Sequence, residues 1–293
     1  MSISAEQVRQ LRERTGAGLM ECKKFLMESH GDIEKAIENM RKTGATKAAK
    51  KEGRITAEGV IMIRISEDGK RGVILEVNSE TDFVARGDDF KAFAKETAEA
   101  ALNQKARDME ALKQQTLSAG HSVEEVRQQL VAKIGENIHL RRFEYLETEG
   151  TLYGYVHGDR IGVLAALSHS NETLGKDMAM HIAASNPLVT TPDKVPATLL
   201  DKEREIYIAQ AKESGKPQAI IEKMVEGNVR KYLEQVSLSE QPFIKDPNKK
   251  VGNILSEGKN QVVTFVRYEV GEGIEKQVQN FAEEVMAQVR GSE

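Results

Sequence analysis

A strand–turn–strand–helix pattern occurs twice in this chain, and the repeat constrains the fold more than any other feature. In the first copy Val60 to Ile65 alternates, with Ile61, Ile63 and Ile65 on one face. Asp68-Gly69 supplies a turn, and Val73, Leu75 and Val77 alternate on the return strand. Period-two runs joined by such a turn read as an antiparallel hairpin. Phe90, Phe93, Ala94, Thr97 and Ala101 then recur at helical spacing. In the second copy Tyr153-Gly154-Tyr155-Val156 is the strand, Gly158-Asp159 the turn and Ile161 to Leu167 the return strand. A helix from about Gly175 to Ser185 follows. The return strands align as Gly72-Val73-Ile74-Leu75 against Gly162-Val163-Leu164-Ala165, and each precedes a Glu-Thr pair, Glu80-Thr81 or Glu172-Thr173. A duplicated hairpin-plus-helix unit predicts an α+β fold with antiparallel sheets.

The flanking segments are helical. Ser4 with Gln7 makes a capping box, and Ile3 with Val8 a hydrophobic staple, at the start of a first helix. Thr15-Gly16-Ala17-Gly18 ends it. Leu19, Cys22, Phe25 and Leu26 give a second helix, His30-Gly31 closes that one, and Asp32 caps a third with Ile33, Ile37 and Met40 on one face. Between the copies Ser122 and Glu125 form a second capping box ahead of Val126, Leu130, Val131 and Ile134. Two charged helices over 193–236 flank Ser214-Gly215-Lys216-Pro217. Ile221, Val225, Val229, Tyr232 and Val236 make a coiled-coil-like seam along the second. Val262 to Val270 returns to strand, Gly271-Glu272-Gly273 breaks it, and Ile274, Val278, Phe281, Val285 and Val289 mark a last amphipathic helix. The expected divisions are a three-helix domain with a basic linker (1–54), a first core subdomain (55–142), a second core subdomain (143–187 with 237–270), an inserted antiparallel helical hairpin (188–236) and a C-terminal helical module (271–293).

The net charge of −4 hides an uneven distribution. Residues 1–54 carry 12 basic and 8 acidic side chains, so they contribute +4 and the remainder −8. The basic run 41–54, with Arg41, Lys42, Lys47, Lys50, Lys51 and Arg54, reads as a solvated helix or linker. It lacks the interleaved aromatics of an RNA-binding surface. No Gly-Lys pair has the surroundings of a phosphate loop, and neither Gly16-Ala17-Gly18 nor Gly271-Glu272-Gly273 completes a dinucleotide fingerprint. Cys22 is the single cysteine, at an apolar helix position, and reads as a structural thiol. The histidines lack metal-ligand spacing: His181 reads as a packed core residue and His157, beside a turn, as a surface residue that could touch a partner. No cofactor or metal is expected. No apolar run is long enough to span a bilayer, and the N-terminus lacks the layout of an export signal, so a cytoplasmic protein is expected.

One segment carries two readings. Asn78-Ser79-Glu80-Thr81-Asp82-Phe83-Val84-Ala85 follows the first return strand. Thr81 or Asp82 could cap a helix with Phe83 packed inward. Alternatively, Asp82 and Phe83 project from a strand-to-helix corner as a compact probe of a carboxylate and an aromatic.

Several stretches resemble the bacterial elongation factor Ts family. They are Leu11-Arg12-Glu13-Arg14-Thr15-Gly16-Ala17-Gly18-Leu19-Met20-Glu21-Cys22-Lys23-Lys24, Glu76-Val77-Asn78-Ser79-Glu80-Thr81-Asp82-Phe83-Val84, Ile134-Gly135-Glu136-Asn137-Ile138, His157-Gly158, Met180-His181-Ile182-Ala183-Ala184 and Val270-Gly271-Glu272-Gly273-Ile274-Glu275-Lys276. Together they span nearly the whole chain. Phe25 departs from the family pattern, which favours a small residue there. The resemblance implies a non-enzymatic guanine-nucleotide exchange factor for elongation factor Tu, with no nucleotide site of its own and no DNA or membrane partner. It implies that Thr81, Asp82, Phe83 and Val84 help displace the Mg²⁺ held with GDP on Tu, which favours the projecting corner. It implies that the N-terminal three-helix domain is UBA-like, and makes Arg12, Met20 and Lys23 docking residues and His157 a core contact. The rival readings are an enzyme built on Asp82 and His157, an RNA-binding module using residues 41–54, and a non-catalytic scaffold self-associating through the helical hairpin.

Overall fold

The computed structural model describes residues 3–213 and 217–275. Three helices open the chain: α1 (Ala5–Thr15), α2 (Leu19–Glu28) and α3 (Ile33–Ala49). The Ser4/Gln7 capping box is present, and Asp32 caps α3 by accepting from Lys35 N at 3.0 Å. Val8, Leu11, Cys22, Phe25, Leu26 and Ala36 form a small core, with Ile3, Ile33, Ile37 and Met40 at its margin. Phe25 is buried there, so the larger side chain is packed within the unit.

The first repeat follows as β1 (Glu58–Ile65), β2 (Arg71–Ser79), α4 (Asp82–Arg86), α5 (Asp88–Asn103), α6 (Met109–Gln114), α7 (Val123–Ile134) and β3 (Ile138–Glu147). The sheet order is β1-β2-β3, antiparallel throughout. Strand β3 is an addition to the sequence reading, and the reason it escapes a period-two search is local. A bulge opposite Glu76/Val77 adds one residue to β3. Ile138 and Leu140 face the helices before the bulge, whereas Phe143 and Tyr145 do so after it. The apolar alternation therefore changes phase in mid-strand.

In the basic run 41–54 the helix alternative holds for residues 41–49, with Lys42 and Lys50 exposed, but the run also packs on its neighbours. Residues 41–49 are the C-terminal half of α3, which lies against α7 with Gly44 beside the Gln128 carbonyl and Ala132. Ala48 belongs to the core of the first repeat. Arg41 approaches Glu125 at 3.8 Å and His121 at 2.7 Å, Lys47 pairs with Glu21 at 3.0 Å, and Lys51 donates to the Gly135 carbonyl. The cations fasten the N-terminal helices to one another and to the first repeat.

The second repeat has β4 (Thr151–His157), β5 (Ile161–Leu167) and α8 (Glu172–Ser185). Helices α9 (Ala197–Lys212) and α10 (Gln218–Val236) form the inserted hairpin, whose tip at 214–216 lies outside the described residues. Ile221, Val225 and Val229 of α10 pack with Ala211, Leu200, Tyr207 and Ile208 of α9, so the seam closes within the hairpin, continued by Leu233. Strands β6 (Pro242–Phe243) and β7 (Asp246–Lys250) and helix α11 (Val251–Glu257) lead back to β8 (Val262–Glu269), giving the order β4-β5-β8. The expected last helix over Ile274 to Val289 lies outside the described residues beyond 275.

The two sheets stack face to face. Ile61, Ile63, Ile65 and Ile74 meet Leu152, Leu164 and Ala166. A Cβ on Gly162 would lie 2.3 Å from Ile61 Cγ2, so glycine is what lets the sheets approach there. The outer faces are covered by helices: Val60, Val73, Leu75 and Val77 by α5 and α7, and Tyr153, Val163, Ala165 and Leu167 by α8. The result is a helix–sheet–sheet–helix sandwich in which β2 is buried from Gly72 to Ser79.

Candidate partner interface

The β2–α4 corner is assembled from hydrogen bonds before any exposed side chain matters. Asn78, fully buried, donates its amide to the Thr56 carbonyl at 3.0 Å. Ser79 Oγ donates to the Thr81 carbonyl at 2.9 Å. Glu80 accepts from Asn137 N at 2.6 Å and faces Arg54 at 3.3 Å. Thr81 donates twice to the Glu136 carboxylate, from its backbone N at 3.0 Å and from its hydroxyl at 2.7 Å. The same hydroxyl oxygen accepts from Val84 N at 3.4 Å, which caps α4. Gly87 ends α4 after five residues and starts α5.

The cap fixes which side chains face out. Val84 packs toward the first core and Ala85 is buried. Phe83 is 82% exposed, and Asp82 pairs with Arg86 at 2.8 Å. Thr81 is thus the N-cap, yet Phe83 does not pack inward. A rigid corner that presents an aromatic beside a carboxylate has the character of an interface anchor. Such side chains gain most when a partner desolvates them, about 1.5–3 kcal/mol for a Phe. The exposed Asp82–Arg86 pair is worth at most about 1 kcal/mol, so a partner group can displace it at small cost.

Arg12, Met20 and Lys23 sit on the N-terminal unit. Gly16, at φ 66°, ends α1 by donating to the Arg12 carbonyl, and α2 begins after Gly18. Cys22, Phe25 and Leu26 take the inner face of α2, leaving Met20 74% exposed and Lys23 exposed. Leu19, which the sequence reading sets on the apolar stripe with Cys22, Phe25 and Leu26, is instead exposed at the first position of α2, and Met27, outside that stripe, is exposed as well. Burial pushes the Cys22 thiol up, as suits a packed thiol.

His157 ends β4, exposed, with Nδ1 3.2 Å from the Tyr155 hydroxyl and the two rings stacked at 6.3 Å. The following turn reaches the first repeat, where Asp159 pairs with Lys91 of α5 at 2.8 Å and its carbonyl accepts from Ile61 N at 2.8 Å. The His157 hairpin and the Phe83 corner therefore flank the same end of α5. Arg12, Met20 and Lys23 do not join them in one cluster. They belong to a separate unit, held to the corner through α3, α7 and the 135–137 turn. His181 is fully buried, with Nε2 2.9 Å from Gln241 Oε1 and Nδ1 accepting from Ile244 N at 3.3 Å, and burial lowers its pKa. Among the described residues no group of three His, Cys, Asp or Glu could hold a metal ion, and no helix is long and apolar enough to cross a membrane.

Comparison with known proteins adds the family context for this corner. A family model described as Elongation factor TS matches residues 80–272, beginning at the corner itself. Elongation factor Ts of Legionella pneumophila (strain Paris) is 58% identical over 289 residues, 99% of each chain. Elongation factor Ts of Methylococcus capsulatus is 56% identical over 293 residues and that of Thioalkalivibrio sulfidiphilus 55% over 294, each covering 100% of both chains.

Proposed function

The chain belongs to the elongation factor Ts family of translation elongation factors, and from that premise we propose that it is the nucleotide-exchange factor of elongation factor Tu. It binds Tu·GDP in the cytoplasm, promotes GDP release and catalyses no covalent step. The observation that carries this reading is Phe83, 82% exposed on a corner held by Glu136 through the Thr81 backbone N–H and by the Asn137 N–H through the Glu80 carboxylate.

The mechanism follows from what Mg²⁺ requires. Mg²⁺ takes near-octahedral oxygen ligands and neutralises phosphate charge, so the metal and GDP on Tu hold one another. Phe83 inserts into Tu with Asp82 beside it and displaces the groups around the metal. Thr81 and Val84 act by holding α4: one caps it and the other seats it on the core. Arg12, Met20 and Lys23 dock the N-terminal unit on Tu, and His157 adds a contact from the neighbouring hairpin. By linkage, a factor that weakens nucleotide binding is itself weakened by nucleotide to the same extent. Rebinding of GTP or GDP therefore releases the factor, which speeds exchange without setting its equilibrium.

Release of a fluorescent GDP analogue from Tu, with and without the chain, tests the reading. Phe83→Ala should slow release at saturating factor while leaving the melting curve of the factor alone nearly unchanged. Release at the wild-type rate by a folded Phe83→Ala variant would refute the wedge.

A further inference from the structure

The Ile134–Ile138 stretch joins α7 to β3, and the mechanism above gives its residues no contact with the partner. Its central turn makes the polar contacts that fix the corner. Gly135, at φ 88°, caps α7 in the left-handed conformation and turns the chain toward β3. Glu136 accepts from both Thr81 N and Thr81 Oγ, at 3.0 and 2.7 Å. Asn137, 3% exposed, donates its backbone N to Glu80 at 2.6 Å and its side-chain amide to the Glu52 and Arg54 carbonyls at 3.2 and 3.1 Å. Lys51 donates to the Gly135 carbonyl. Three consecutive residues thus grip the exit of the N-terminal unit on one side and the base of the Phe83 corner on the other.

We propose that this turn is the positioning element of the corner, with Glu136 as the residue that aims Phe83. The hydroxyl proton of Thr81 goes to Glu136, which turns the oxygen lone pairs toward Val84 N and so sets the first turn of α4. Two donors on one carboxylate fix the Thr81 peptide as well as its side chain, and charge-assisted bonds of this kind are the strong ones. Phe83 follows two residues later on a helix of only five residues, whose direction is set by its cap. Glu136 makes no contact with the partner in this account. It keeps Phe83 in the conformation that Tu receives, so that ordering is not lost on binding.

The proposal rests on the exchange-factor reading, and its test separates the two. GDP release from Tu is measured against factor concentration for the wild type, Glu136→Gln, Phe83→Ala and the double variant. Glu136→Gln should lower the maximal release rate about tenfold, the effect of one charge-assisted hydrogen bond, and change the half-saturating concentration less than about twofold. In the Phe83→Ala background the same substitution should change the maximal rate less than about twofold, because the side chain it aims is gone. A general loss of stability would instead slow both backgrounds equally. Equal slowing, or a wild-type rate for Glu136→Gln, overturns the positioning role while the wedge stands. A Phe83→Ala variant that releases GDP at the wild-type rate overturns the wedge and the positioning role together. If Glu136→Gln unfolds, Thr81→Val deletes the donor from the other side and is judged by the same comparison.

Discussion

The two repeats share a plan and differ at their corners, and the difference sets apart the corner proposed as the functional site. The return strands and the caps keep a single offset of 90 residues, from Gly72 to Gly162 and from Thr81 to Asn171. Thr81 accepts from Val84 N, and Asn171 accepts from Leu174 N at 3.1 Å. The Glu-Thr pairs that align the copies in sequence lie 92 apart, so they are out of register by two residues. With the caps superposed, Val84 matches Leu174 and both pack inward, whereas Phe83 matches Thr173 and both face out. The cap geometry exposes that position in either copy. What is unusual in the first is that the exposed residue is a phenylalanine, on a helix that Gly87 interrupts. In the second copy α8 runs on for 14 residues.

The same offset pairs Glu76 with Ala166 in the two central strands, and here the expected effect is largest. Ala166 is an ordinary member of the apolar layer between the sheets. Glu76 is 0% exposed and accepts from Arg141 Nη1 at 2.9 Å, Arg142 Nε at 2.6 Å and Gly271 N at 2.8 Å. The bulge in β3 sets two successive arginines opposite the one carboxylate. The Glu76 cluster also ties the first sheet to the chain as it leaves β8. Glu76→Ala would give the first copy the residue of the second while removing the buried carboxylate shared by Arg141, Arg142 and Gly271 N, with Arg141 keeping the Glu272 carbonyl and Arg142 the Glu269 carbonyl and the Glu272 carboxylate. It should cost about 3–5 kcal/mol in urea unfolding. A loss below about 1 kcal/mol would mean that the arginines find water instead, and that the two strands are interchangeable at this position.

The next effect is on activity. Phe83→Ala should lower the maximal rate of GDP release about 30-fold, corresponding to about 2 kcal/mol, and change stability by less than about 0.5 kcal/mol. Thr173→Phe places an aromatic at the matching position of the second corner. It should neither raise the rate nor rescue Phe83→Ala, because that corner leads into a continuous helix and lacks the Glu136 contact. Rescue would show that an exposed aromatic suffices and that the first corner is not special.

Much of this architecture is legible in the sequence because it is local. The hairpins declare themselves by alternation and turn residues, and the capping boxes at Ser4 and Ser122 form as read. Strand β3 is hidden because its bulge shifts the apolar phase between Leu140 and Phe143. The exposure of Phe83 is hidden for a different reason. Thr-Asp-Phe-Val fits either a cap with an inward aromatic or a projecting one, and the choice is made where Val84 and Ala85 take the inner face against a core that draws on residues as distant as Leu140. The role of residues 41–54 is likewise set by acidic partners at Glu21, Glu80 and Glu125 that no linear scan pairs with them.

The smallest expected effect contrasts the helices that follow the two corners. At the 90-residue offset Lys91 of α5 matches His181 of α8. Lys91 reaches outward to Asp159, whereas His181 is buried against Phe243, with rings 5.9 Å apart, and its pKa is lowered by desolvation. A histidine whose folded pKa lies below its unfolded value of about 6.5 leaves the unfolded chain binding more protons as pH falls. Its stabilising contribution is complete above pH ~6.5 and declines below that value, by at most about 1.4 kcal/mol per pH unit, until the folded pKa is reached. His139, lowered by burial and by Arg127, Lys113 and Arg141, adds a slope of the same sign from the first repeat. The comparison to make is therefore wild type against His181→Gln between pH 7.5 and 5.5. The variant should show the shallower loss of stability, and amide exchange should place the difference in α8 and β6. Equal slopes would mean that His181 titrates alike in the folded and unfolded chain, and that acid acts on the two repeats through His139 or the carboxylates alone.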